Sequence, residues 1–298
     1  MPWRRVPWDS NGKRWPRWCA TPARFRWRAT PSTARWKSLP ESSELQRLRL
    51  GRIAYLNTEP FFASDTIRSA AVSLPPRQMY DLAAAGTIDA APLPSVALAD
   101  HPDLFAQVGN FTIAAAGPVS SVLLRSRIPP SEFSPGTRIG VTSETATSLR
   151  LLKVLLYEYW GLGQGLLFDP LGPENDAQLV IGDQALSEQA AEFPHLIDLG
   201  AAWYEFSGSP FVYALWLAGP RASESALEEL ADYFSVNLAR NGADVSEIAD
   251  RRPGLGMTEE QIESYLAKFS YRLGERERVG LEQFFELDAR VRTRSVSR

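Results

Sequence analysis

Short apolar runs alternate with amphipathic stretches along most of the chain, beginning at Leu50. The runs have the length of strands, and the amphipathic stretches have the period of helices. The predicted strands cover residues 52–56, 70–74, 88–93, 111–115, 119–124, 138–141, 178–181 and 211–217. Strands that alternate with helices favour a largely parallel sheet with helices on its faces, so the pattern predicts an α/β fold.

The chain after residue 218 is predicted to be helical. Ser225 and Glu228 form one capping-box pattern, and Thr258 and Gln261 form a second, each ahead of an apolar stripe. Other helices are predicted over residues 77–85, 144–160 and 279–289. We interpret the C-terminal helices as scaffold.

Residues 1–48 differ from the rest of the chain in charge and composition. They hold eleven Lys and Arg against three Asp and Glu, and six of the nine tryptophans. Such a basic, Trp-rich segment is compatible with nucleic-acid binding, with an anionic membrane surface or with a transit peptide. We interpret it as a disordered extension or as residues upstream of the true start, because it cannot bury a core of its own. Neither a nucleic acid nor a membrane is therefore expected as a partner.

The residue types present give little support to metal or redox chemistry. Cys19 is the one cysteine, and His101 and His195 are the two histidines, so neither a disulfide framework nor a metal site is expected. The sequence also lacks a Gly-rich phosphate loop and a dinucleotide-binding fingerprint. We therefore predict no cofactor and no metal, and any chemistry relies on hydroxyls, amides and backbone dipoles.

Two polar residues follow apolar runs that are predicted to be strands. Asn57 ends the run that begins at Arg52, and Ser95 follows the run that ends at Pro94. The carboxyl end of a strand is where ligands bind in open α/β sheets. An asparagine there also commonly bonds the turn that follows, and on this segment alone the turn interpretation is favoured for Asn57.

Hydroxyl residues are concentrated where the strand over 138–141 leads into a helix. Five of them lie within residues 142–148, and Thr147 and Ser148 fall in the predicted first turn. A helix start offers free N–H groups to a carboxylate, whereas ordinary capping needs only one hydroxyl. Glu144 in the same segment would repel an anion unless its side chain points away. Asp183, after another predicted strand, is interpreted as the N-cap of the next helix rather than as a catalytic acid.

Five segments occur in an order that is typical of one known family. They are residues 53–57 (Ile-Ala-Tyr-Leu-Asn), 117–124 (Gly-Pro-Val-Ser-Ser-Val-Leu-Leu), 143–152, 181–186 and 198–212. Together they resemble the chorismate dehydratases of the futalosine route to menaquinone, and the resemblance covers nearly all of residues 50–290. It implies a type II periplasmic-binding-protein-like fold with an inter-lobe cleft. One lobe would comprise residues 50–117 and 208–298 and the other residues 118–207, with crossings near 116–120 and 207–211.

The resemblance also implies a reaction and a set of site residues. Chorismate would lose water to give 3-[(1-carboxyvinyl)oxy]benzoate. Asn57 matches the family's asparagine and would orient the reacting centre, while Ser95, Ser121, Thr147 and Ser148 would bind the substrate. With no protein base apparent, a substrate carboxylate would take the proton. No oligomeric state is predicted.

Two alternatives stay open at this point. The 1,4-dihydroxy-6-naphthoate synthase of the same pathway resembles this fold and would be expected to use a cleft histidine. A non-catalytic solute-binding protein would have the same two lobes, but such proteins are normally exported. Because no secretory-type apolar segment is present, we expect a cytoplasmic protein.

Overall fold

The computed structural model describes residues 44–62, 65–187, 192–241 and 245–296. Most of the predicted N-terminal extension lies outside these residues. Its last part is included: Glu44–Arg47 forms a 3₁₀ helix in which Leu45 is buried. The Leu45 N–H donates to the Glu229 carboxylate at 3.3 Å, so residues from Glu44 onward pack on the folded part.

Eleven strands and ten α-helices are formed by the described residues. The strands are β1 Gly51–Arg52, β2 Val72–Ser73, β3 Ala90–Pro94, β4 Ala106–Ala115, β5 Val122–Ser126, β6 Arg138–Val141, β7 Leu167–Pro170, β8 Ala177–Ile181, β9 His195–Asp198, β10 Phe211–Ala218 and β11 Phe269–Arg272. The helices are α1 Asp65–Ala70, α2 Pro76–Ala84, α3 Val96–Asp100, α4 Thr147–Val154, α5 Gly182–Ser187, α6 Leu199–Ser207, α7 Glu224–Asn241, α8 Val245–Arg251, α9 Glu259–Leu266 and α10 Glu275–Val296.

The larger strands form two separate sheets. The first sheet has the order β11-β4-β10-β3, and the second has the order β7-β6-β8-β5-β9. β1 and β2 form a small parallel pair. The chain passes from the first sheet to the second between β4 and β5 and returns between α6 and β10. These passages fall where the crossings are predicted, while the division into lobes at those points stays a prediction.

The prediction of a largely parallel sheet is wrong. In the first sheet β10 runs antiparallel to both β3 and β4, and β4 runs antiparallel to β11. In the second sheet β6 is parallel to β7 and β8, but β5 is antiparallel to β8 and β9. Parallel neighbours arise when a helix crosses directly between sequential strands. Here β10 enters the first sheet from far along the chain, so the alternation of strands and helices does not fix its direction.

Aromatic side chains fill the core beside the first sheet. The ring of Phe61 lies 5.3 Å from that of Trp216 and 5.0 Å from that of Phe234, edge to face. A second cluster joins Trp203, Phe211 and α10, where the rings of Phe211 and Phe284 lie 4.8 Å apart. Rings of this size bury much apolar area and fix the elements that carry them. No helix among the described residues has the length and apolarity to cross a membrane.

The two predicted capping boxes have different outcomes. The Thr258 box is confirmed: Thr258 Oγ1 accepts from the Gln261 N–H, and the Gln261 side chain accepts from the Thr258 N–H. The Ser225 box is wrong, because α7 already begins at Glu224. Ser223 takes the capping role and accepts from the Ala226 N–H at 3.3 Å.

Candidate functional site

A cavity lies between the two sheets and encloses about 610 Å³ of empty space, including its mouth. Its walls are largely apolar, with polar groups on two sides. The polar residues of the first-sheet side are Tyr55, Asn57, Thr58 and Tyr213. Those of the second-sheet side are Ser121, Glu144, Thr145, Thr147 and Ser148. Four of the five residues predicted for the site therefore line one cavity, and the fifth, Ser95, does not.

Asn57 lies in a 3₁₀ helix, Leu56–Phe61, and not at the end of a strand as predicted. The strand ends at Arg52, and the Thr58 hydroxyl bonds the backbone that follows it. Thr58 Oγ1 lies 2.6 Å from the carbonyl oxygen of Ile53. Asn57 Oδ1 is buried and has no hydrogen-bond partner among the residues that the structure describes. The amide oxygen therefore does not bond the turn, and a buried acceptor without a partner suits a ligand.

The start of α4 supplies the opposite polar surface. Ala146 is the residue at the N-cap and offers no side-chain acceptor to the first turn. The N–H groups of that turn consequently stay available, and the helix dipole favours negative charge there. The hydroxyls of Thr145 and Thr147 are buried and have no hydrogen-bond partner among the residues that the structure describes. Ser148 is buried as well. These uncharged donors have the chemistry to hydrogen-bond an anionic group.

Glu144 lines the cavity, but its carboxylate is already engaged. The Tyr55 hydroxyl donates to Glu144 Oε2 at 2.7 Å, across the cavity from the first-sheet side. Burial, with the bond to Glu144 as a second cause, raises the pKa of Tyr55 far above its ordinary value. Tyr55 is thus a neutral donor at any physiological pH, and its proton offsets part of the repulsion that Glu144 would exert on an anion.

Ser121 and Ser95 occupy different positions relative to the cavity. Ser121 lines the cavity. Its Oγ accepts from the hydroxyl of Tyr265 on α9 at 2.9 Å, so this bond links α9 to the segment before β5. Ser95 follows Pro94, which lines the cavity, and is fully buried at the start of α3. Its hydroxyl has no hydrogen-bond partner within the described part of the chain. Ser121 therefore has one protein bond already, whereas the Ser95 hydroxyl is unpaired and adjoins a residue of the cavity wall.

Asp183 is not an N-cap residue, so this prediction is wrong. It lies inside the first turn of α5, which already begins at Gly182. Its Oδ1 accepts from the Leu56 N–H at 3.0 Å, and its other oxygen pairs with Arg252. Burial raises the pKa of Asp183 above its ordinary value, against the opposing effects of the Leu56 N–H and of Arg252. Asp183 therefore joins the second-sheet region to the turn that carries Asn57.

Three residues that shape the site did not emerge from the sequence as site residues: Tyr55, Thr145 and Asp183. Tyr55 lies two positions before Asn57, and Thr145 is one of the five clustered hydroxyls, so a signal was present for both. No cation and no histidine occurs among the described residues that line the cavity. A ligand would be held by amide, hydroxyl and backbone groups against apolar walls.

Comparison with known proteins identifies relatives of the chain. The family model described as menaquinone biosynthesis matches residues 48–290. A curated relative, the chorismate dehydratase of Thermus thermophilus, is 30% identical over 238 residues, which are 71% of this chain and 83% of the relative.

Solved structures with similar folds are more distant in sequence. A protein from Archaeoglobus fulgidus superposes with a TM-score of 0.66 at 16% identity, covering 82% of this chain and 97% of that one. The periplasmic aliphatic sulphonate binding protein of Escherichia coli gives a TM-score of 0.54 at 17% identity, covering 83% and 92%. At 9% identity, a Candida albicans protein described as having the generic periplasmic binding protein fold also gives 0.54, covering 81% and 90%.

The likeness to these structures confirms the predicted periplasmic-binding-protein-like fold. The match of the family model over most of the chain, together with the identity to a curated relative, extends beyond the fold. The chain belongs to the menaquinone-biosynthesis family.

Proposed function

We propose that the protein is a chorismate dehydratase, a hydro-lyase that converts chorismate into 3-[(1-carboxyvinyl)oxy]benzoate and water in menaquinone biosynthesis. The observation that carries the proposal is the 30% identity to a curated chorismate dehydratase along most of both chains. The cavity supports it, because the Asn57 amide oxygen and the Thr145 and Thr147 hydroxyls are uncharged and have no hydrogen-bond partner among the described residues.

The proposed reaction needs little from the protein beyond orientation. The C3–H bond breaks, its electron pair forms a double bond between C3 and C4, and the C4 hydroxyl leaves. The proton and the hydroxyl together make water, and the ring becomes aromatic. Aromatisation makes the reaction favourable. Because the elimination of water leaves the overall oxidation level unchanged, no electrons are exchanged with a second molecule.

Asn57 is assigned to the reacting centre. Its amide oxygen is buried in the cavity wall with no partner among the described residues, so it can bond a substrate group. A preorganised amide stabilises the charge that develops as the proton and the hydroxyl depart. The position of Asn57 is fixed by the 3₁₀ helix, which limits the reorganisation needed during the reaction.

One carboxylate of chorismate is assigned to the start of α4. Thr147 and Ser148 lie in its first turn, next to the free N–H groups. Ser121 would bond the substrate from the same side. Ser95 would reach it only if its free hydroxyl turns past Pro94 towards the cavity, so its contact is the least direct of the set.

The second substrate carboxylate is assigned the role of base. The one carboxylate among the described residues that line the cavity is Glu144, which accepts from Tyr55. The Glu144 carboxylate would lie next to an anionic substrate, and two like charges at close range repel each other. A carboxylate carried by the substrate is already held beside the C3 proton, so intramolecular transfer is preferred.

Incubating the full-length protein with chorismate tests the proposal. Mass spectrometry of the mixture is expected to find an aromatic product one water lighter than chorismate, at a rate proportional to the protein concentration. Binding of chorismate without any product would support a solute-binding protein instead. A naphthoate synthase would leave chorismate untouched. That alternative is disfavoured, since neither histidine is among the described residues lining the cavity.

A further inference from the structure

The two residues before Asn57 are both held by the opposite side of the cavity. The Tyr55 hydroxyl donates to Glu144, and the backbone N–H of Leu56 donates to Asp183 Oδ1 at 3.0 Å. Glu144 precedes α4 and Asp183 belongs to α5, and both elements follow strands of the second sheet. The next residue, Asn57, faces the cavity between these contacts.

Arg252 ties the same carboxylate to the rest of the turn. Its guanidinium pairs with Asp183 and donates to the Ala54 carbonyl oxygen at 2.8 Å. Another of its nitrogens lies 3.4 Å from the carboxylate of Glu59. Arg252 thus contacts the segment on both sides of Asn57, and it fixes the Asp183 carboxylate in the orientation that receives the Leu56 N–H.

Gly182 permits the close approach of α5 to this turn. Its φ is +62°, in the left-handed region that favours glycine. A Cβ at this position would lie 2.6 Å from the Tyr55 ring, so any larger residue would push the two segments apart. Asp183 is the next residue, so the close contact of Gly182 with Tyr55 brings the Asp183 carboxylate near the Leu56 N–H.

We infer that Asp183 is a positioning residue for Asn57, holding from the second-sheet side the turn that carries the amide. The inference rests on the proposed function, because it assigns Asn57 to the reacting centre. Leu56 directly precedes Asn57, and its N–H is held by the Asp183 side chain from the second-sheet side of the cavity. Loss of that bond frees the turn to shift, and a shift of about 1 Å at a reacting group is enough to cost about 100-fold in rate.

A double-mutant cycle distinguishes positioning from general support of the fold. Asp183→Ala is expected to lower kcat at least about 10-fold in the wild-type background and less than about 2-fold in an Asn57→Ala background, because coupled residues are not additive. KM should change little, since the α4 start is untouched. Equal losses in the two backgrounds would overturn the inference. Asp81→Ala, the same change at an exposed position of α2, is the matched control and should retain wild-type kcat.

Hydrogen exchange supplies a readout that does not depend on turnover. Asp183→Ala is expected to speed exchange in a peptide covering residues 53–61, while Asp81→Ala leaves it unchanged. Unchanged exchange in Asp183→Ala would contradict the inference even if wild-type protein proves inactive towards chorismate, an outcome that would defeat the proposed function alone. Should Asp183→Ala fail to fold, Asp183→Leu replaces it in both experiments, because leucine fills the space of the carboxylate but cannot accept from the Leu56 N–H.

Discussion

The two polar sides of the cavity are constructed differently. On the second-sheet side, the start of α4 presents N–H groups and hydroxyls that come from one continuous segment. On the first-sheet side, Asn57 sits on a turn held by ion pairs and by contacts from distant elements. The donors of the α4 start are in place as soon as that helix forms. The position of Asn57, in contrast, depends on the distant elements that hold its turn.

This difference predicts which kinetic parameter each side controls. In the proposed reaction, groups at the α4 start contact a substrate carboxylate that keeps its charge throughout, so their loss should weaken binding. In the same proposal Asn57 contacts the centre where charge develops, so its loss should slow turnover. The ion pairs beneath Asn57 should control the stability of the turn.

The largest effect is expected at the reacting centre. Asn57→Ala should lower kcat by about 100- to 1,000-fold, the usual cost of removing one preorganised polar group. KM should stay within about 3-fold of the wild-type value, since the binding groups of α4 remain. Steady-state rates of product formation from chorismate provide the measurement. A variant with wild-type kcat would remove Asn57 from the chemistry.

The second largest effect is expected in the ion cluster under the turn. Glu59 is fully buried and pairs with Arg68 at 2.8 Å, with Arg252 and Arg52 at longer distances. Glu59→Ala removes the carboxylate with which Arg68 and Arg52 pair, while Arg252 keeps its pair with Asp183. This loss should lower the free energy of unfolding by about 3 kcal/mol, measured by urea denaturation.

A surface pair provides the control for that measurement. Glu247 lies one helical turn from Arg251, and its side chain is largely exposed. Glu247→Ala should change the free energy of unfolding by less than about 0.5 kcal/mol. Similar losses for the two variants would mean that the Glu59 cluster has no special role.

A smaller effect is expected at the helix start. Thr147→Val removes a buried hydroxyl that has no partner among the described residues but keeps the side-chain volume. The apparent KM for chorismate should rise about 10-fold, the usual value of a hydrogen bond to a charged group, while kcat changes little. Thr293→Val, the same change at an exposed position of α10 outside the cavity lining, is the control. A fall in kcat without a change in KM would contradict the assignment of α4 to binding.

The smallest effect concerns pH. Burial raises the pKa of Asp183, the nearby Arg252 lowers it, and Glu59 raises it further. Because burial prevails, Asp183 loses its charge at a higher pH than an ordinary carboxyl group does. The folded state therefore binds this proton more tightly than the unfolded state does. As pH falls through the folded-state pKa and Asp183 becomes protonated, the free energy of unfolding rises. In Asp183→Asn, that acid-side rise in the free energy of unfolding should disappear. Urea denaturation at a series of pH values below neutral measures this. The same dependence of the free energy of unfolding on pH in wild type and Asp183→Asn would contradict the prediction.

Local signals in the sequence pointed to several residues that line the cavity, although for Asn57 the local pattern alone favoured a turn and the family resemblance made it a candidate. Asn57 ends an apolar run, and Thr147 and Ser148 lie where a strand leads into a helix, so these polar groups were visible as interruptions of the apolar pattern. The bond partners of Asp183 were not, because Leu56 and Arg252 lie 127 and 69 residues away along the chain. Strand directions also escaped prediction, since β3 and β10 pair across a long separation.

Steady-state kinetics of Asn57→Ala and Thr147→Val, measured side by side with chorismate, test the division between the two sides most directly. The loss is expected in kcat for Asn57→Ala and in KM for Thr147→Val. Losses of both variants in the same parameter would contradict the division.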